Sequence, residues 1–139
     1  MTAQTQDHGI RQDAASGYVS LGVAMAAADY PLNSLVEITD DYTVTLIVAV
    51  DKQSDGEVTK PATAAGGMGT IATRFRRILH DANANAAISA GAGAKIVADV
   101  AGVQTFDTFS EGVDGEKERI GVFLTHADAQ GDKVDIGLY

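Results

Sequence analysis

The chain has no cysteine, no tryptophan and only two prolines in 139 residues. Without cysteine there is no disulfide framework and no thiolate metal site. With aromatics at 6%, the core has to be built from Val, Ile, Leu and Ala. Basic residues are also scarce. Ten Lys and Arg stand against 19 Asp and Glu, a net charge of −9. Binding a nucleic-acid backbone needs clustered cations that displace counterions, so nucleic acid is not an expected partner. A surface of this sign suits a particle that must not adhere to anionic cell components. No apolar run reaches the roughly 20 residues needed to cross a bilayer, so no membrane partner is expected. The segment Met1 to Ser16 is polar and lacks the basic-then-apolar order of a secretory signal, which points to synthesis in the cytoplasm.

What the chain does have is short runs in which apolar and polar or small residues alternate, punctuated by glycine. The clearest are Ile88 to Phe106 and Arg119 to Tyr139, with Gly91, Gly93, Gly102 and Gly131 between the runs. Period-two alternation over a few residues is the mark of half-buried strands, and glycine serves the turns. Further strands are expected at Val19–Ala24, Leu35–Thr39, the β-branched run Thr43–Val50, and Val58–Lys60 after the Asp55-Gly56 turn. The expected fold is mainly all-β, a small β-barrel or β-sandwich of short antiparallel strands with room for one short helix in the Ala-rich stretch 82–92. A length of 139 residues suggests one domain, read here as 18–139 behind a flexible polar arm, 1–17.

The segment 71–82 fits two periods. Ile71, Phe75, Ile78, Leu79 and Ala82 form a helical stripe, while Ile71, Thr73, Phe75, Arg77 and Leu79 form a strand face. Its strand neighbours favour the strand. There is also an internal echo. Leu21-Gly22-Val23 through Ala28-Asp29 to Val36-Glu37-Ile38 parallels Ile120-Gly121-Val122 through Ala127-Asp128 to Val134-Asp135-Ile136.

Chemistry is hard to find. His8, His80 and His126 are scattered, none with a second ligand at metal spacing on its own element. His126 and Asp128 read as a surface pair. Gly66–Thr70 does not follow a strand and open a helix, and Gly91–Lys95 lacks the spacing of a phosphate loop. No serine sits in a nucleophile-elbow context. No catalytic, metal or cofactor residue is assigned. The one basic cluster is Arg74, Arg76 and Arg77. On a continuous strand Arg74 and Arg76 would share a face and Arg77 take the other. It reads either as a solvated face or as a patch for an acidic protein surface, where Arg makes bidentate carboxylate contacts.

Five runs together resemble a known family. They are Ala87–Gly91, Lys95–Ala98, Ala101–Thr105, Ile120–Thr125 and Ala127–Ile136, the last containing Gly131-Asp132 before Val134-Asp135-Ile136. Their order is similar to the C-terminal half of tailed-bacteriophage capsid decoration (cement) proteins, over about residues 70–139; residues 18–60 depart from it. The resemblance implies a non-enzymatic structural protein that binds the outer surface of an expanded phage head and stabilises it by bridging subunits of the major capsid protein. It also implies a homo-oligomer, a trimer above all, and an extended N-terminal arm. The arm reads either as a frayed tail or as an added strand on a partner. The capsid-contact residues expected on this reading are Ile10, Arg11 and Tyr18, with Arg74, Arg76 and Arg77 second. The alternatives are another phage structural part, tail-tube-like or a minor head protein, and more remotely a small ligand-binding barrel.

Overall fold

The computed structural model describes residues 11–12, 17–50, 52–100 and 102–139, with backbone alone for 11–12 and 98–100. Eleven strands run in the order β1 (Arg11–Gln12), β2 (Val19–Met25), β3 (Leu35–Asp40), β4 (Thr43–Leu46), β5 (Gly56–Lys60), β6 (Met68–Thr73), β7 (Arg77–Ala84), β8 (Gly93–Val100), β9 (Val103–Thr108), β10 (Gly121–Phe123) and β11 (Lys133–Leu138). Among the described residues the one helical element is a 3₁₀ turn at Glu116–Glu118, not in the Ala-rich stretch. The chain gathers into two compact units, Met1–Arg77 and Ile78–Tyr139, a boundary that the sequence reading did not draw.

Each unit closes a five-stranded barrel. The first runs β2-β4-β3-β5-β6 and returns to β2, with β1 laid beside β2; the second runs β10-β11-β7-β9-β8. The pairings β2–β4 and β7–β9 are parallel, and their neighbours β3–β4, β5–β6, β8–β9 and β10–β11 are antiparallel. The strand at Thr43 ends at Leu46 rather than Val50. The ambiguous segment is strand on both sides of a bend at 74–76. The bend has a cause. Phe75 turns fully into the first core, its N–H donates to Thr73 Oγ1, and Thr73 Oγ1 donates to the Val19 carbonyl. Arg74 and Arg76 lie in the bend on either side of Phe75, and Arg77 opens β7.

The two barrels follow one plan. The Met25 N–H donates to Gly67 O and Gly66 N–H to Met25 O; in the second unit Ala84 N–H donates to Asp132 O and Gly131 N–H to Ala84 O. Asp29 N–H to Ala62 O is matched by Ile88 N–H to Ala127 O, and Val58 N–H to Ser34 O by Phe123 N–H to Ala92 O. The register Gly56↔Thr73 is matched by Gly121↔Leu138. Gly66 and Gly131 hold the same turn at φ +77 and +93, where a side chain would be strained. Matched strands are thus β2 with β7, β3 with β8, β4 with β9, β5 with β10 and β6 with β11. The sequence echo had matched β2 with β10, because two Gly-Val strands look alike when pairing partners are unknown.

The backbone plan is shared, but the cores are not. In the first unit Val23, Met25 and Val36 face Val44 and Val58. In the second, the matched positions are Ala82, Ala84 and Ala94 against Phe106 and Phe123. Volume lost on two strands returns on the other two, the kind of exchange a close-packed interior tolerates. The same holds for Gly69. A Cβ there would stand 2.5 Å from Met25 Cε and 2.6 Å from the Lys60 carbonyl; its match is Val134, in one core with Ala82 and Ala84.

Gly69→Ala is therefore expected to destabilise the first unit by about 1–3 kcal/mol. In a Met25→Ala background the penalty should shrink but not vanish, because the Lys60 carbonyl remains. Urea denaturation of the four proteins of the cycle measures this coupling. Strictly additive effects would break the packing account.

Candidate docking surfaces

On the outer face of the first barrel, register places Leu35 opposite Glu57, Glu57 opposite Ala72, Ala72 opposite Ser20 and Ser20 opposite Arg11. The small side chains of Ala72 and Ser20 leave a trough in the middle of this row. It is an open groove of about 670 Å³, walled by Leu35 and Glu57 on one side and Tyr18 and Arg74 on the other. Leu35 is half exposed.

The expected contact residues fall as follows. Ile10 lies outside the described residues. Arg11 begins β1 and is paired by backbone with Ser20. Phe75 is buried, and the residues flanking it turn outward. Arg74 reaches back, its Nη1 donating to the Ser54 carbonyl at 3.4 Å. The Arg76 guanidinium lies 5.4 Å from the centre of the Tyr18 ring, a cation–π distance. Tyr18 and Arg74 line the groove and Arg76 lies against Tyr18, while Arg77 opens β7 and is exposed.

In the second barrel the matched place is filled by the chain itself. Arg119 stands where the first barrel has Ser54. Its guanidinium lies 5.8 Å from the Phe109 ring and 5.7 Å from the Tyr139 ring. Its Nε is 3.0 Å from where a Cβ on Gly93 would stand, and Gly93 is the match of Leu35. The lining differs as well: exposed Glu57 is matched by fully buried Val122.

A second outward feature went unread in the sequence, the connection 109–120 after β9. Lys95 Nζ donates to both carboxylate oxygens of Asp114, at 2.9 and 3.0 Å. Asp114 Oδ2 also accepts the Ser110 N–H at 2.7 Å. The Asp114 and Val113 N–H groups both donate to the Ser110 carbonyl. The tight turn leaves Val113 83% exposed at its tip, between exposed Glu111 and Glu116. The matched connection of the first unit exposes Val48 and Val50. A lone Val in Ser110-Glu-Gly-Val-Asp-Gly115 was the available signal.

Among the described residues, histidine–carboxylate pairs are His80 with Asp135 at 3.2 Å and His126 with Asp128 at 3.6 Å, the latter an exposed surface pair. Among the described residues no group of three or more His, Cys, Asp or Glu is placed to hold a metal ion. No protein-family model matches the chain, and no curated protein matches it at a significant level.

The Ser110 N–H, then the Lys95 ammonium, hold the Asp114 carboxyl below its ordinary 3.8. The hydrogen bond to Asp114 raises Lys95 above 10.5. A lowered acid stabilises above its unfolded value and loses that contribution as pH falls through the folded one; a raised base loses its own as pH climbs through its folded value. The clasp is therefore whole across the neutral range and opens in acid. The Ser110 amide resonance should titrate with a midpoint below 3.8 in a pH series by NMR, and a midpoint at or above 3.8 would mean that the clasp does not form.

Proposed function

We propose that the chain is a non-enzymatic structural protein of a tailed phage. On this reading it binds the outer surface of the expanded head and stabilises it by bridging subunits of the major capsid protein, as a homo-oligomer that is trimeric on the head. Support comes first from the resemblance over residues 70–139. The observation that carries the reading is a pair of closed barrels with apolar interiors whose matched connections turn Val48, Val50 and Val113 into solvent. Exposed apolar side chains at adjacent loop positions suit contact with another protein surface. The backbone pairing of β1 with β2 supports the arm as strand-forming sequence.

The physics of decoration is mass action. A protein that binds the expanded shell and not its separated subunits stabilises the shell by RT ln(1 + [L]/Kd) at each site. No bond is made or broken, so the work is done by contact area and by spanning a seam that internal pressure strains.

Sedimentation with expanded, undecorated phage heads tests the proposal. Saturable binding at a fixed ratio to capsid subunits is expected. It should weaken at least tenfold in Val48→Asp/Val50→Asp and in a chain lacking residues 1–17. Absence of binding, with a discrete hexamer in solution, would point instead to a ring or tube component.

A further inference from the structure

The connection between β9 and β10 is closed at its base and tied once in its middle. At the base, the Phe109 N–H donates to the Gly93 carbonyl at 2.8 Å and the Ile120 N–H to the Ala94 carbonyl at 2.9 Å. The Arg119 guanidinium lies 5.8 Å from the centre of the Phe109 ring, so the two ends of the connection meet. Between them, residues 110–118 form a compact surface loop. None of these residues is buried, and all but Asp114 are exposed.

The bonds of this loop fall into two sets. The N–H groups of Ser110, Val113, Asp114, Gly115 and Glu118 all donate to acceptors within 110–118. Among the described residues, the bond from 110–118 to a strand is that of the Lys95 ammonium on the Asp114 carboxylate, at 2.9 and 3.0 Å. Burial adds no second hold, because Val113 is 83% exposed. Two further carboxylates, Glu118 in the loop and Asp107 on β9, attract the same ammonium. Lys95 therefore keeps counter-charges when Asp114 lets go, and Arg119 stays at the base.

We propose that residues 110–118 are a switch, a preformed loop hinged at Phe109 and Arg119 that the Lys95–Asp114 pair holds against the second barrel and that swings free when Asp114 is protonated. The barrel does not open with it, because the register Gly121↔Ala94 and Val122↔Gly93 lies beyond the hinges. Segments that open alone are those with few buried apolar contacts, as here. The Asp114 carboxyl titrates below its ordinary 3.8, so the loop is clasped above that value and released as pH falls through the folded one. On the head-binding reading, release also takes Val113 out of its fixed position and so regulates docking; the switch itself does not need that reading.

Limited proteolysis of the full chain tests this without a capsid, so its failure is separate from that of head binding. Trypsin cleavage after Lys117, read by mass spectrometry, follows the open fraction of the loop. Lys95→Met cuts the tether and leaves every bond inside the loop. At neutral pH its cleavage should be at least about tenfold faster, the factor that loss of a charge-assisted hydrogen bond gives. Lys95→Arg keeps the charge and should stay as protected as the wild type, and circular dichroism should be unchanged in both. In the wild type, amide resonances of 111–117 should move together in acid while those of Gly121–Phe123 hold. Equal cleavage of wild type and Lys95→Met would overturn the inference, and so would Lys95→Arg cut as fast as Lys95→Met. Loss of sheet signal in Lys95→Met, or acid movement of Gly121–Phe123 with the loop, would also overturn it, since the pair would then be holding the barrel.

Discussion

Barrel diameter falls with strand number, and at five strands the interior is so narrow that inward side chains cannot be chosen independently. Everything else in this protein follows from that constraint. Val23, Met25 and Val36 on one wall require modest side chains opposite, and find Val44 and Val58. Where the second unit places Phe106 and Phe123, the opposite wall shrinks to Ala82, Ala84 and Ala94. Aromatics are rare in the chain, and two of its four phenylalanines are used in this one exchange. Phe75 closes the first barrel by bending the chain between β6 and β7, and that bend carries Arg74 and Arg76 outward.

Such a barrel has no room for a ligand within, so its dealings with other molecules happen on its outside. The outer faces of the two units diverge where their backbones agree. One is filled by Arg119 over Gly93, and the other is left as a trough beneath Leu35 and Tyr18. The connection that follows β9 is held by a bidentate ammonium–carboxylate pair. The pair fixes the shape of a turn that ends in a solvent-exposed valine.

The all-β class and most strand positions were legible, because alternation at Val19–Met25 or Lys133–Leu138 follows directly from one face being buried. The bend at 74–76 was not, because Phe75 satisfies a strand period and a helical one equally well. Only its partners, Thr73 and Val19, show that it turns inward. Pairing order was hidden too. Gly-Val strands recur, and nothing local distinguishes the β2–β7 match from β2–β10; the shared hydrogen bonds at Met25 and Ala84 do. Of the docking surfaces, the arginine cluster and Tyr18 were visible as residue types. The groove was not, since Leu35, Glu57, Ala72 and Ser20 come from four strands and meet only through register.

Two barrels on one backbone plan in a single chain set a folding hazard: β11 could pair beside β2 in place of β6, and the register would accept it. The glycine at position 69 removes that option. Were β11 to take the place of β6, Val134 would stand against Met25 and the Lys60 carbonyl, where even a methyl group does not fit. Strand exchange between like domains is a known route to misassembly, and a clash of this kind counts against it. The unequal cores thus distinguish the strands of the two barrels by side-chain size where their backbone plan does not.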